Sequence, residues 1–577
     1  MNNRMIEVMN NKILLSIILL FTLAHPFFAA PKNIKLKPTP QKSRAFYNAD
    51  DSQIPATIRQ GLAMPKSNAQ SNNGNWRVED DAFVRESPTK LRLSFKEGLP
   101  IGNLKTIAIT TDGAVWAGGN EGLVRYQKAL HPWDRWQYFA GKRYLPSDEV
   151  IALVAGEAGS IWARTSAGIS HIEMRPMTLA QKAAYFEERI EKRHKRHGLV
   201  ADSQFLESGN TATSHQYPND NDGLWTAIYA AAECFRYAVT TDREALSSAK
   251  QSLEAMLRLE SITGRSGYPA RSFRHKDEPR HKDGFWYFTP DKEWEWKSDT
   301  SSDELVGHFF AYAIAYDLLP DVELKKKIQG IVQRITDHII ENQYYLIDVT
   351  GKPTRWGRWS PEYFADPDGH EDSPLNALEL LSFCKVAHHI TGEARFGREY
   401  RKLIDELGYH RIVTEYLERV KELNYSDEEL AMLSFYPLMQ YEKDARLLKF
   451  YREGMADWWV NIKREANPLW TFIYAASHPQ KNSPLADAAR TLYRIPMDLT
   501  KWSVRNMHRR DVTFAKELDR HNEQEILQLL APDERRVMRW NSNPFQPDSK
   551  TDGRGEDDGA FFLLPYWMGR YHKLIVE

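Results

Sequence analysis

A chain of 577 residues exceeds the length at which one hydrophobic core keeps growing, so at least two folded units are expected. Its 77 basic and 78 acidic residues leave a formal charge of -1, which excludes a global field for holding nucleic acid or an anionic membrane. Charge selectivity has to come from local patches.

The first residues carry Arg4 and Lys12, an apolar run from Ile13 to Ala24, and small residues at Ala29 and Ala30. This is the pattern of a secretory signal over residues 1–30, and it predicts a secreted or periplasmic mature protein. No later stretch is long and apolar enough for a membrane span, so none is expected. Cys234 and Cys384 each sit in a helical pattern of apolar neighbours, which argues against a disulfide framework. Residues 31–75 are rich in Pro, Ser, Asn, Gln and Lys and read as a flexible linker.

Residues 76–175 contain an internal repeat. Leu99-Pro100, Ile107-Ala108-Ile109, Val115-Trp116-Ala117-Gly118 and Gly122-Leu123-Val124 return as Leu145-Pro146, Ile151-Ala152-Leu153, Ile161-Trp162-Ala163 and Gly168-Ile169-Ser170. Short alternating strands broken by glycine turns predict two β-propeller-like blades, and the spacing resembles the two-component-regulator propeller repeats of bacterial sensor and carbohydrate-utilisation proteins. Two blades cannot pair off their own edges, so packing against the rest of the chain is expected to cap them.

From residue 176 to 577 the periodicity is helical. A polar loop dense in Asp, Asn and Ser repeatedly opens a helix that is apolar nearly all round, and an amphipathic helix follows. The plan is seen at Asn219 to Asp222, Ser298 to Asp303, Asp366 to Asp372 and Tyr425 to Asp427, and more weakly at Asn467 and Asp557. It predicts a mainly α fold: an (α/α) toroid of five or six hairpins whose capping loops converge on one mouth, behind a small N-terminal β region.

The loop His215-Gln216-Tyr217-Pro218-Asn219-Asp220-Asn221-Asp222 brings an imidazole, a phenol and two carboxylates to that mouth, with Trp225 just beyond. Arg271, Arg274, Asp303, His308, Tyr363, His370, Asp372 and the basic cluster around Arg509 are further candidates. Seventeen Trp and 26 Tyr exceed what helical packing requires, and an aromatic face also suits the C–H side of a sugar ring. No metal signature, phosphate cradle or nucleophile elbow is present. No cofactor is therefore expected, with structural calcium or zinc among the Asp and His loops left open. Two chemistries fit these residues. In β-elimination of a uronate chain, a cation neutralises the sugar carboxylate while His or Tyr moves the proton. In glycoside hydrolysis, Asp220, Asp222, Asp303 or Asp372 would supply carboxylates.

The repeat plan and the His-x-Tyr and Asn-Asp-Asn-Asp loop resemble the (α/α)-toroid polysaccharide lyases and the related unsaturated-glucuronyl hydrolases. The resemblance implies a lyase of an anionic, ulvan-like uronic-acid polysaccharide. It casts His215, Tyr217, Arg271 and His370 as catalytic, and Asn219, Asp222, Trp225, Arg274, Asp303, His308, Tyr363 and Arg509 as substrate-binding. A glycoside hydrolase and a non-enzymatic glycan sensor are the alternatives. The blades in front of the ring, and the lack of a β-sandwich after it, depart from the better-known toroid lyases.

Overall fold

A computed structural model describes residues 33–71, 74–280 and 282–577; the predicted export segment lies outside the described residues. The fold is mainly α with an N-terminal β region.

The β region contains three four-stranded antiparallel sheets. Two carry the repeat read in the sequence: Leu104–Ile109, Val115–Gly119, Gly122–Tyr126 and Trp136–Phe139 form one, and Val150–Ala155, Ile161–Thr165 and Gly168–Met177 form most of the other. Asn68–Ser71, Gly74–Glu79, Ala82–Arg85 and Leu91–Ser94 make a further sheet before them. Leu104–Ile109 packs on Asn68–Ser71 on one side and on Val150–Ala155 on the other. Trp76, Phe83, Ile107 and Val115 share one core, and Trp116, Phe139, Val150 and Ile161 share the next.

The flexible linker expected over 31–75 is corrected by the structure. Strand Thr39–Tyr47 pairs antiparallel with Gly168–Met177 and completes the last sheet at its edge. A short helix, α1 (Ala56–Leu62), follows and buries Leu62. Polar composition misled because an edge strand keeps much of its surface in water. Lys42 turns inward over the Phe139 ring at 4.2 Å and pairs with Asp533.

The remaining residues form α2 (Leu179–Arg193), α3 (Asp222–Thr240), α4 (Arg243–Ser261), α5 (Ser302–Leu318), α6 (Val322–Glu341), α7 (Pro367–Thr391), α8 (Ala394–Asp405), α9 (Tyr425–Tyr441), α10 (Ala445–Ile462), α11 (Pro468–Ser477), α12 (Leu485–Arg494) and α13 (Ala560–Tyr571), with short elements between. Helices α3, α5, α7, α9, α11 and α13 are buried over most of their surface and share one core. Each packs on the next in that order, and α13 packs back on α3. Helices α4, α8, α10 and α12 lie against α3, α7, α9 and α11, and α6 lies against α5 and α7. Their apolar stripes face inward and their polar faces meet water, which is why the sequence alternates.

Charge joins the β region to the helices. The buried Arg494 guanidinium donates to Asp533 at 2.9 Å, Glu534 at 2.9 Å and Asp134 at 2.8 Å. Arg509 donates to Glu534 at 2.8 Å and in bidentate fashion to Asp511. Arg509, expected at the mouth, therefore belongs to this junction, held there by two carboxylates.

Candidate functional site

The buried helices α3, α5, α7 and α9 start at loops that the structure ties together. Arg271 donates from Nε to the Asp220 carbonyl at 2.8 Å, from Nη1 to the Asp299 carbonyl at 3.1 Å, and from Nη2 to Asn221 Oδ1 at 2.8 Å. Asp299, in a left-handed conformation at φ 55, accepts from the Arg355 amide at 3.0 Å and brings in a third loop. Asn221 Nδ2 reaches Asp303 Oδ1 at 3.5 Å. Arg271 thus ties together the loops that open α3 and α5, with its donors engaged by protein atoms.

Carboxylates gather inside this frame. Tyr363 donates its hydroxyl to Asp372 Oδ2 at 2.6 Å. Burial pushes the Asp372 carboxyl up, and Glu371 and Asp368 add to the rise while the Tyr363 hydrogen bond opposes it. Asp427, in the first turn of α9, is pushed up to about 7, by burial first and then by repulsion from Asp372 and Asp303, against a hydrogen bond from Asn424 and the charge of Arg520. Asp427 is only half-buried, so this proton stays within reach of solvent. Beneath it lie two buried acids. Glu379 accepts from Trp359 Nε1 at 2.7 Å and is pushed well up by burial, while Glu429 is pushed up to about 8 by burial against the charge of Arg539. Like charges held this close cannot all ionise near neutrality. Arg520 is exposed at the tip of the hairpin formed by Phe514–Leu518 and Gln524–Ile526, and its charge reaches both Asp372 and Asp427.

Further round, the Arg539 guanidinium lies 4.0 Å from the centroid of the Trp225 ring and donates to Asp202 and to Asp558, the latter at 2.8 Å. Lys501 also pairs with Asp202. Oxygens of Asp202, Asp557 and Asp558 lie within 4.8 Å of one another, and this is the group among the described residues that could hold a metal ion. Arg539 and Lys501 already balance two of its three negative charges. The third sits on Asp557, whose carboxyl burial pushes up to about 7, so that a proton balances it near neutrality.

Of the other residues singled out from the sequence, His215 and Tyr217 do meet, ring edge to face at 4.8 Å. Asn219 donates to the Tyr217 carbonyl at 3.4 Å. His370 is exposed on the first turn of α7 beside Arg419, 3.2 Å away. Asp222, Arg274 and His308 are corrected to internal roles, because each is buried on a protein partner. Asp222 accepts from Arg196 at 2.8 Å and from Ser272. Arg274 pairs with Glu295 and grips the carbonyls of His275, Lys276 and Glu278. His308 Nδ1 lies 2.8 Å from the Glu304 carbonyl, and burial pushes its imidazole down to about 4. Sequence reasoning passed over Asp427, Glu379, Glu429, Arg520 and Arg539. Asp427 was visible only as a capping loop, and the glutamates only as single charges inside apolar runs.

No protein-family model matches the chain, and no curated protein matches it. Among solved structures it is similar to a sugar epimerase from a ruminal bacterium at 13% identity, covering 52% of this chain and 82% of that one with a TM-score of 0.31. It is also similar to a metagenome-derived glycoside hydrolase family 9 endoglucanase at 10% identity, covering 80% of this chain and 99% of that one with a TM-score of 0.31. Likeness at this level carries no argument about activity.

Proposed function

We propose that the chain is a glycoside hydrolase acting on a polysaccharide at the mouth formed by α3, α5, α7 and α9. The observation that carries this reading is Asp427: a half-buried carboxyl near 7, raised by burial first and then by the neighbouring Asp372 and Asp303. Hydrolysis of a glycosidic bond needs one carboxyl group that keeps its proton near neutral pH and another that does not. Asp427 donates the proton to the leaving oxygen. Asp303, or Asp372 once its Tyr363 hydrogen bond is exchanged for a water, serves as the base. The successive packing of α3, α5, α7, α9, α11 and α13, with α13 returning to α3, supports a closed (α/α) ring as the scaffold.

A second reading, β-elimination of a uronate chain, is favoured by the contact between His215 and Tyr217, which offers a base beside a proton donor. Against it, Arg271 is engaged by protein acceptors and is poorly placed to neutralise a sugar carboxylate. Export to the periplasm or beyond remains part of the proposal; no described helix is long and apolar enough to cross a membrane.

Incubation with neutral and uronate oligosaccharides, followed for new reducing ends and for ultraviolet absorbance of an unsaturated uronate, tests both readings. Reducing ends without that absorbance, lost in Asp427→Asn, are expected. A rising absorbance that survives Asp427→Asn and disappears in Tyr217→Phe would replace hydrolysis by elimination.

A further inference from the structure

A concave surface lies where the β region meets the helical part, and none of the carboxylates of the proposed catalytic site line it. It is a groove of about 570 Å³, within the range of small-molecule sites, and its walls include Phe46, Trp502, Lys142, Arg143 and Arg505. Phe46 is 41% exposed. Trp502 rests on Gly209 and Gly553, where an added Cβ would come within 2.4 and 2.3 Å of the ring, so the indole has one seat. Arg44 bridges the two rings, 4.6 Å from Phe46 and 6.0 Å from Trp502, and is itself tied to Asp498 at 3.0 Å.

The charges in this groove are unevenly satisfied. Among its acids, Asp148 accepts from the Gly141 amide at 2.7 Å, Asp552 accepts from the Arg554 amide at 3.0 Å, and Asp533 and Glu534 are held by Arg494. Its cations lack matching partners. Arg505 is exposed and makes no ion pair or hydrogen bond among the described residues, and Lys142 Nζ donates to the Pro146 carbonyl alone. Arg143 is 3% exposed, with Nη1 donating to the carbonyls of Asp533 at 3.0 Å and Arg535 at 2.8 Å. Its Nε and Nη2 have no acceptor. Those two donors share the edge of the guanidinium that grips a carboxylate or sulfate side-on, and a buried donor left unmade is costly.

We propose that this groove is a second carbohydrate site, separate from the mouth, that takes a sugar unit bearing a carboxylate or a sulfate. The apolar face of the ring packs on Phe46 and Trp502, and the anion meets Arg505 and Lys142 with Arg143 behind them. The sheet that carries Trp502 runs in the order Ser214–His215, Ser203–Phe205, Ser549–Glu556, Thr500–Val504. Three strand spacings, about 15 Å, separate the strand of His215 from that of Trp502.

The test is calorimetric titration of the full chain with trigalacturonate, with a sulfated galactan oligosaccharide and with cellotetraose, repeated in the double variant Lys142→Ala, Arg505→Ala and in Trp502→Phe. The charged sugars are expected to bind at least about tenfold tighter than cellotetraose, and the double variant to lose about tenfold or more of that affinity. Preference for trigalacturonate assigns the anion as a carboxylate, and preference for the sulfated chain assigns it as a sulfate. Binding of cellotetraose equal to that of the charged sugars, no binding of either charged sugar, or an unchanged double variant would overturn the proposal. Trp502→Phe, which keeps a ring on the glycine seat, checks that any loss is not unfolding: its melting temperature should hold while indole fluorescence quenching by sugar falls. The outcome is independent of whether the mouth hydrolyses anything.

Discussion

Asp427→Asn separates a functional carboxyl from a structural one, because the two roles predict opposite signs. The folded protein holds this carboxyl at about 7, above its unfolded value near 4. A raised carboxyl contributes full stability below the unfolded value, and that contribution is lost as pH climbs through the folded one. Roughly three pH units at about 1.4 kcal/mol each give about 4 kcal/mol of stability lost between acid and pH 8. Solvent screens the half-buried group and lowers this to about 2 kcal/mol. An amide cannot ionise and can keep a hydrogen bond to Asn424, so the variant should match the parent at pH 4 and exceed it by about 2 kcal/mol at pH 8. Urea unfolding midpoints at pH 4, 6 and 8 measure the difference. Reducing-end release in the same samples should fall by roughly 10²–10⁴-fold, the contribution of one general acid. A variant that is less stable than the parent at pH 8, or a difference that does not change with pH, would refute the reasoning.

Two further outcomes probe the scaffold. Arg494→Met leaves Asp533, Glu534 and Asp134 facing one another without their common cation, and breaking such a buried set should cost about 3–5 kcal/mol. Limited proteolysis should then cut between the β region and the helices at protease levels that the parent survives. Gly223→Ala puts a Cβ 1.9 Å from Glu304 Oε2 and 2.9 Å from His308 Cε1, an overlap expected to cost about 1–3 kcal/mol in urea unfolding. Adding Glu304→Ala should recover part of that loss.

The helical plan was legible because residues such as Ala227 to Ala232 in α3 and Phe309 to Ala315 in α5 are apolar on every side, a pattern that only burial all round allows. Tyr363 and Asp372 flank the start of one such helix, and the hydrogen bond between them follows from that loop folding back on its own helix. What the sequence could not show is which side chains are already engaged. Arg271 and Arg274 look alike on the page, yet one clamps three loops and the other closes a hairpin. Arg509 sits in a basic run that suggested substrate binding, while its partner Glu534 is distant in sequence and close only in space. Thr39–Tyr47 was hidden for a related reason: edge strands carry polar residues, and the partner strand lies beyond three intervening sheet segments.

Ile34–Lys35 lies parallel to Ile575–Val576, and α13 packs on α3. A chain made from its amino end therefore synthesises Ile34–Lys35 long before its partner exists, and α3 likewise is made well before α13. That seam closes only after everything between the two strands has been made, so both segments stay unpartnered through the intervening synthesis. For the same reason, deleting Ile34–Lys35 or deleting Ile575–Val576 should damage the same seam, read as a lower urea midpoint in either variant.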